Sequence, residues 1–120
     1  MKKISFFLMS CLFIVSCQDE TNNFTQLASG YELYQKNCAN CHGDDGLGLA
    51  KLIPPLKNAD YLLSHKDSLK SIIHKGIQVP IVVNGITYTS PMPAMPKISA
   101  SEAESIIQFI LIKFNQTSNK

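Results

Sequence analysis

The chain has few cysteines, no dominant charge sign and no apolar run long enough to cross a membrane. There are four cysteines, and only Cys38 and Cys41 stand in Cys-x-x-Cys spacing, since Cys11 and Cys17 lie in the N-terminal apolar stretch. A structural zinc usually draws four ligands from two such pairs, and the second pair is missing. A thioredoxin-like thiol centre needs a strand-helix setting, and none is legible before Cys38. The formal net charge is +2, but Lys2 and Lys3 lie in a segment expected to be removed, and without them nine lysines face nine acids. A nucleic-acid partner leaves a basic footprint, so that class is excluded. The run Ile4 to Val15 falls short of the roughly 20 residues of a membrane-spanning helix. Gly43-Asp44-Asp45-Gly46-Leu47-Gly48 is rich in glycine but lacks the Lys-Ser/Thr ending and the preceding strand of a phosphate cradle. It reads as a bend, with Asp44 and Asp45 solvated.

What the chain does hold is Cys38-Ala39-Asn40-Cys41-His42. This is the spacing for covalent c-type haem attachment. Each thiol adds to one porphyrin vinyl group, and the histidine after the second thiol becomes the proximal iron ligand. One short turn thus fixes the cofactor at three points. A length of 120 residues supports a single domain with a modest core. A bound porphyrin would complete that core, so the apoprotein is expected to be poorly folded.

Residues 1–16 read as a secretory signal, with Lys2-Lys3 as the charged region and Ile4 to Val15 as the apolar one. Ile14-Val15-Ser16-Cys17 resembles a bacterial lipobox with Cys17 as the lipidated residue. Leu8-Met9-Ser10-Cys11 is a weaker second candidate, and the alternative is ordinary signal cleavage. Gln18 to Gln26 is polar and reads as an unstructured tether, anchored through Cys17 and able to reach about 30 Å when stretched. Asp19 and Glu20 resemble the surface-export signal of some bacterial lipoproteins. The domain proper is expected over residues 27–116, with 117–120 as a tail.

Within the domain, Leu27, Tyr31, Tyr34 and Cys38 fall at helical spacing, which predicts a first helix from about Ser29 into the cysteine motif. Lys66 to Lys75 predicts a middle helix with Leu69, Ile72 and Ile73 on one face and Gly76 at its end. Tyr61, Leu62 and Leu63 read as ordinary core. Two β-branched runs around Asn84-Gly85 predict a hairpin over residues 81–88. Ser99 with Glu102 is a capping box, and Ala103, Ile106, Ile107, Ile110 and Phe114 continue one apolar face of a last helix. The prolines of Pro91-Met92-Pro93-Ala94-Met95-Pro96 favour an extended segment, suited to presenting a thioether.

Gly30, Tyr34, the Cys38 to His42 motif, Gly43 with Asp45-Gly46, Pro54 to Leu56 and Met92-Pro93 lie in the order seen in small monohaem class I cytochromes c, which the chain resembles from about Leu27 to Phe114. The resemblance implies an all-α cytochrome c fold, with terminal helices crossed around one covalent haem c and the hairpin as an addition. It implies a close crossing of the first and last helices at Gly30 and Tyr34, with Ile106 and Phe109 opposite. It also implies that the Pro54 carbonyl, or alternatively that of Pro55, receives the His42 Nδ1 hydrogen, and that Met92, with Met95 as the rival, is the second axial ligand. His65 and His74 are expected to be surface residues.

The function so implied is one-electron transfer in a cell-envelope redox chain, by a non-enzymatic monomer exported to the periplasmic side or cell surface and lipid-anchored there. It would meet redox proteins transiently, with Lys51, Lys57 and Lys97 steering an acidic partner. The alternatives are a haem-bearing subunit of a larger oxidase or reductase, or a gas- or peroxide-responsive haem protein. No distal His, Arg or acid cluster accompanies Met92 to support the last.

Overall fold

In the computed structural model, residues 18–116 are described, with side chains from Asn22 onward. The expected signal, the lipobox cysteines Cys11 and Cys17, and the tail 117–120 lie outside the described residues. Helix α1 spans Gln18–Asn37, a single turn α2 spans Ala39–His42, and α3 spans Asp60–Ser64. A 3-10 turn at Lys66–Ser68 leads into α4, Leu69–Lys75. Strands β1 (Ile81–Val83) and β2 (Ile86–Tyr88) precede α5, Ala100–Asn115. The architecture is helical with one two-stranded sheet.

The first helix corrects the expected tether. It starts at Gln18 rather than near Ser29, so Gln18 to Gln26 is helical. No glycine or proline interrupts the run before Gly30. Once the packed part of α1 is formed, extending it by further turns is favourable.

Helix α1 packs on α5. At Gly30 a Cβ would run into the Ser105 carbonyl oxygen and sit 2.9 Å from the Phe109 Cβ, so only glycine lets the two helices approach this closely. One turn on, Tyr34 is wholly buried. Its ring meets Phe109 at 5.2 Å and Phe114 at 5.4 Å, contacts worth about 0.5–1.5 kcal/mol each beyond the area buried. Its hydroxyl donates to the Gly43 carbonyl at 2.6 Å. Burial, reinforced by Cys38 and then by Asp45 and Asp44, pushes the phenol above its ordinary value, so it remains a protonated donor. Tyr34 thereby ties the helix pair to the end of the cysteine motif.

Helix α5 begins with the capping box: Glu102 N donates to Ser99 Oγ at 3.2 Å, and Ser99 N donates to Glu102 Oε2 at 2.8 Å. The Ser99 backbone N–H, with the Ser99 hydroxyl adding, holds the Glu102 carboxyl below its usual range. Ala103, Ile106, Ile107, Phe109, Ile110 and Phe114 form its buried face. Leu69 and Ile73 of α4 join that core, and Gly76 closes α4 with φ +71°. Leu62 is buried, but Leu63 is 40% exposed. That corrects its expected place in the core, because the single turn and a half of α3 can turn only one face inward.

The hairpin pairs Ile81 with Tyr88, Val82 with Thr87 and Val83 with Ile86. Asn84 and Gly85 both have positive φ, 50° and 77°, as a two-residue turn matching strand twist requires. Val83 and Tyr88 point inward and are buried.

Gly30→Ala is expected to destabilise the protein by about 1–3 kcal/mol, the cost of overpacking a close contact. The shift of the denaturant midpoint of the haem-loaded protein measures it, and an unchanged midpoint would contradict the close approach.

Candidate functional site

The site grows from the junction of α1 and α2. Cys38 N still donates to Tyr34 O at 2.8 Å, and Cys38 O accepts from Cys41 N at 3.1 Å and His42 N at 2.9 Å. One turn therefore presents two thiols and an imidazole. Cys38 is buried and Cys41 exposed, and neither is in a disulfide. Burial, with Cys41 adding, pushes the Cys38 thiol up to about 11.

The loop after His42 folds back on it. Gly48 N donates to His42 O at 2.8 Å, Leu49 and Ile53 bridge each other, and Leu56 N and Lys57 N both donate to Gly46 O, at 2.8 and 2.9 Å. This return brings the Pro54 carbonyl to 3.1 Å from His42 Nδ1. A carbonyl only accepts, so Nδ1 carries the hydrogen and Nε2 keeps its lone pair. Burial lowers the imidazole's pKa, and the Pro54 bond opposes that shift. A neutral ring with Nε2 free is the form that ligates a metal.

Nε2 belongs to a residue that lines two adjoining cavities of about 720 and 520 Å³, counting the space open at their mouths. They share His42, Pro54, Ile77, Ile81 and Met92. The larger reaches Cys38 and is walled by side chains such as Leu62, Leu69, Ile73 and Ile107. The smaller reaches Cys41 and opens past Leu52, Tyr88 and Pro91. An apolar slot with a thiol on each cavity, an imidazole with a free nitrogen and a thioether fits a porphyrin with iron at its centre. Among the described residues no three His, Cys, Asp or Glu side chains gather for a bare metal ion.

The other candidates lie elsewhere. Met95 packs against the core, its N donating to Ile73 O at 3.0 Å, and it lines neither cavity. Pro55 lines the larger cavity. His65 donates to Tyr61 O at 2.7 Å and stacks on that ring. His74 Nε2 donates to Ile98 O at 2.8 Å. Lys51, Lys57 and Lys97 are exposed.

Two supports had no signal in the sequence. Asp60 and Asn84 exchange bonds across 24 positions: Asn84 N donates to Asp60 Oδ1 at 2.7 Å, and Asp60 N donates to Asn84 Oδ1 at 3.1 Å. This latch holds the hairpin, whose Ile81 and Val83 wall the larger cavity, against α3. Asn115 donates to Leu56 O at 2.9 Å and accepts from Ala59 N at 3.2 Å, clipping the loop after Pro54 to the end of α5. Asp60 and Asn84 are ordinary turn formers, so their pairing could be found only in three dimensions.

A Cys-x-x-Cys-His turn beside an apolar slot within this helical frame is the arrangement of a cytochrome c domain. Residues 25–110 match the family described as cytochrome c oxidase, cbb3-type, subunit III, and the chain belongs to that family. It is also 34% identical over 89 residues to the cytochrome c subunit of a quinone alcohol dehydrogenase from Gluconacetobacter polyoxogenes, and to the same subunit from Komagataeibacter europaeus. The match covers 72% of this chain but only 19% of each relative. Cytochrome c domains bind haem c and carry electrons rather than catalyse reactions themselves.

Removing the side-chain half of the latch with Asp60→Ala, which leaves the Asp60 N–H to Asn84 Oδ1, should loosen the hairpin. Amide exchange of Val83 to Tyr88 is expected to quicken about tenfold, the effect of losing a net hydrogen-bond contribution of roughly 1 kcal/mol or slightly more. Exchange in α5 should stay as it was, and equal acceleration in both elements would refute a local latch.

Proposed function

We propose that the chain is a one-electron carrier holding a single haem c, bonded through thioethers to Cys38 and Cys41, with His42 and Met92 as the two axial ligands. When bound, the haem supplies the one-electron couple at iron. The observation that carries this reading is that His42, its Nδ1 committed to Pro54, and Met92 line the same apolar slot. Pro54 orients the imidazole and raises its basicity. Met92 adds a thioether, which raises the reduction potential. Together they leave no open position for a substrate. The aliphatic walls keep water from the site, and the terminal helices, crossed at Gly30, frame it.

Electrons would pass in small transient contacts, with Lys51, Lys57 and Lys97 drawing an acidic face of a partner protein. The expected export signal and Cys17 support a lipid-anchored monomer outside the cytoplasm, attached to a membrane of the cell envelope. Among the described residues no helix is long and apolar enough to cross a membrane. A second reading, a haem-bearing subunit of a larger oxidoreductase, is favoured by the names of the matched family and relatives. Co-purification of a stoichiometric dehydrogenase or oxidase subunit from native membranes would select it.

Absorption spectra and potentiometry of wild type, Met92→Ala and Met95→Ala, each matured with haem, test the ligand set. Met92→Ala alone should lose the methionine–iron charge-transfer band and show a lower potential. Loss in Met95→Ala alone would reverse the assignment.

A further inference from the structure

The geometry points to Gly76 and Gln78 as positioning residues that hold Met92 in place as a ligand, an inference resting on the Met92 reading above. Met92 lies between Pro91 and Pro93, which have no backbone N–H. Its own N–H is therefore the one donor of that tripeptide, and it bonds Ile77 O at 2.9 Å. The Met92 carbonyl accepts twice, from Ile77 N at 3.0 Å and from Gln78 Nε2 at 3.1 Å, which fills both of its lone-pair sites.

Gly76 lies directly beneath this bridge. A Cβ there would strike the Met92 carbonyl oxygen and come within 2.8 Å of Ala94 N and 2.9 Å of Pro93 C. At φ +71° the backbone also disfavours any residue with a side chain. The same segment ends α4, through Gly76 N to Ile72 O at 2.8 Å, and α4 takes the Met95 N–H on Ile73 O at 3.0 Å. The methionine run is thus hydrogen-bonded once to α4, at Ile73, and again to Ile77 and Gln78 just beyond its Gly76 cap, and the Ile77 side chain lines both cavities beside Met92.

A flexible thioether ligand is worth more when its backbone is fixed before the bond forms, because less ordering entropy remains to be lost. The need is greatest in the oxidised protein, since a soft sulfur suits the harder ferric ion less well than the ferrous one. A loosened Met92 would leave the position open for part of the time, and an added ligand would bind more tightly in proportion to that fraction.

The test uses the full haem-loaded chain with imidazole as the probe. Gly76→Ala and Gln78→Glu, the latter keeping the side-chain shape but removing the donor, are compared with wild type and Met92→Ala. Both positioning variants should weaken the methionine–iron band and tighten imidazole binding to the oxidised protein, by about tenfold or more for Gly76→Ala. A wild-type band and imidazole affinity in both variants, even with a lowered melting temperature, would overturn the proposal. If Gly76→Ala fails to take up haem, Gln78→Glu decides: tighter imidazole binding supports the clamp and unchanged binding overturns it. A band that survives in Met92→Ala would instead refute the ligand reading on which the clamp rests.

Discussion

The hydrogen bond from His42 Nδ1 to the Pro54 carbonyl, 3.1 Å long, is the constraint from which the site follows. It decides the tautomer, leaves Nε2 free and sets the ring's orientation. Much of the local structure serves to deliver that carbonyl. The loop from Gly43 to Lys57 bonds back to Gly46 and His42, Asn115 clips its far end to α5, and Tyr34 ties its near end to α1. The bonds that orient the His42 ring are in this way also bonds that join the first and last helices.

The slot is enclosed by elements too short to stand alone. They are helices α3 and α4 and a hairpin of two three-residue strands. Each is attached by a few long-range bonds: Asp60 to Asn84, Ile77 to Met92 and His74 to Ile98. By contrast the α1–α5 pair is joined by its own side chains, with Tyr34 against Phe109 and Phe114. The domain is a firm helical pair carrying a wall whose inner face is apolar and needs something apolar against it. In a domain of this modest size, an apolar group filling the slot would be a large fraction of the core.

The parts of this design that were legible in the chain are the local ones. The Cys38 to His42 turn, a capping box at Ser99 and an Asn-Gly hairpin turn are each set by residues within a few positions of one another, so spacing alone identifies them. Gly30 was legible only through the resemblance to class I cytochromes c, which implies a close crossing of the first and last helices at this glycine and the aromatic one turn on. The polar stretch after Cys17 was misread because composition argues for disorder while saying nothing of a helix that can be extended from its packed end. Leu63 was misplaced because hydrophobicity does not reveal how short α3 is. The latch, the Asn115 clip and the Met92 bridge join residues 14 or more positions apart, and no local pattern encodes such a pairing.

The central claim is that one porphyrin is bonded to Cys38 and Cys41, above the imidazole that Pro54 orients. The most direct measurement is to mature the protein with haem, denature it, extract it with acid acetone and weigh the chain by mass spectrometry. The account predicts that colour stays with the protein and that its mass exceeds the polypeptide by one haem. A colourless chain of polypeptide mass would contradict it.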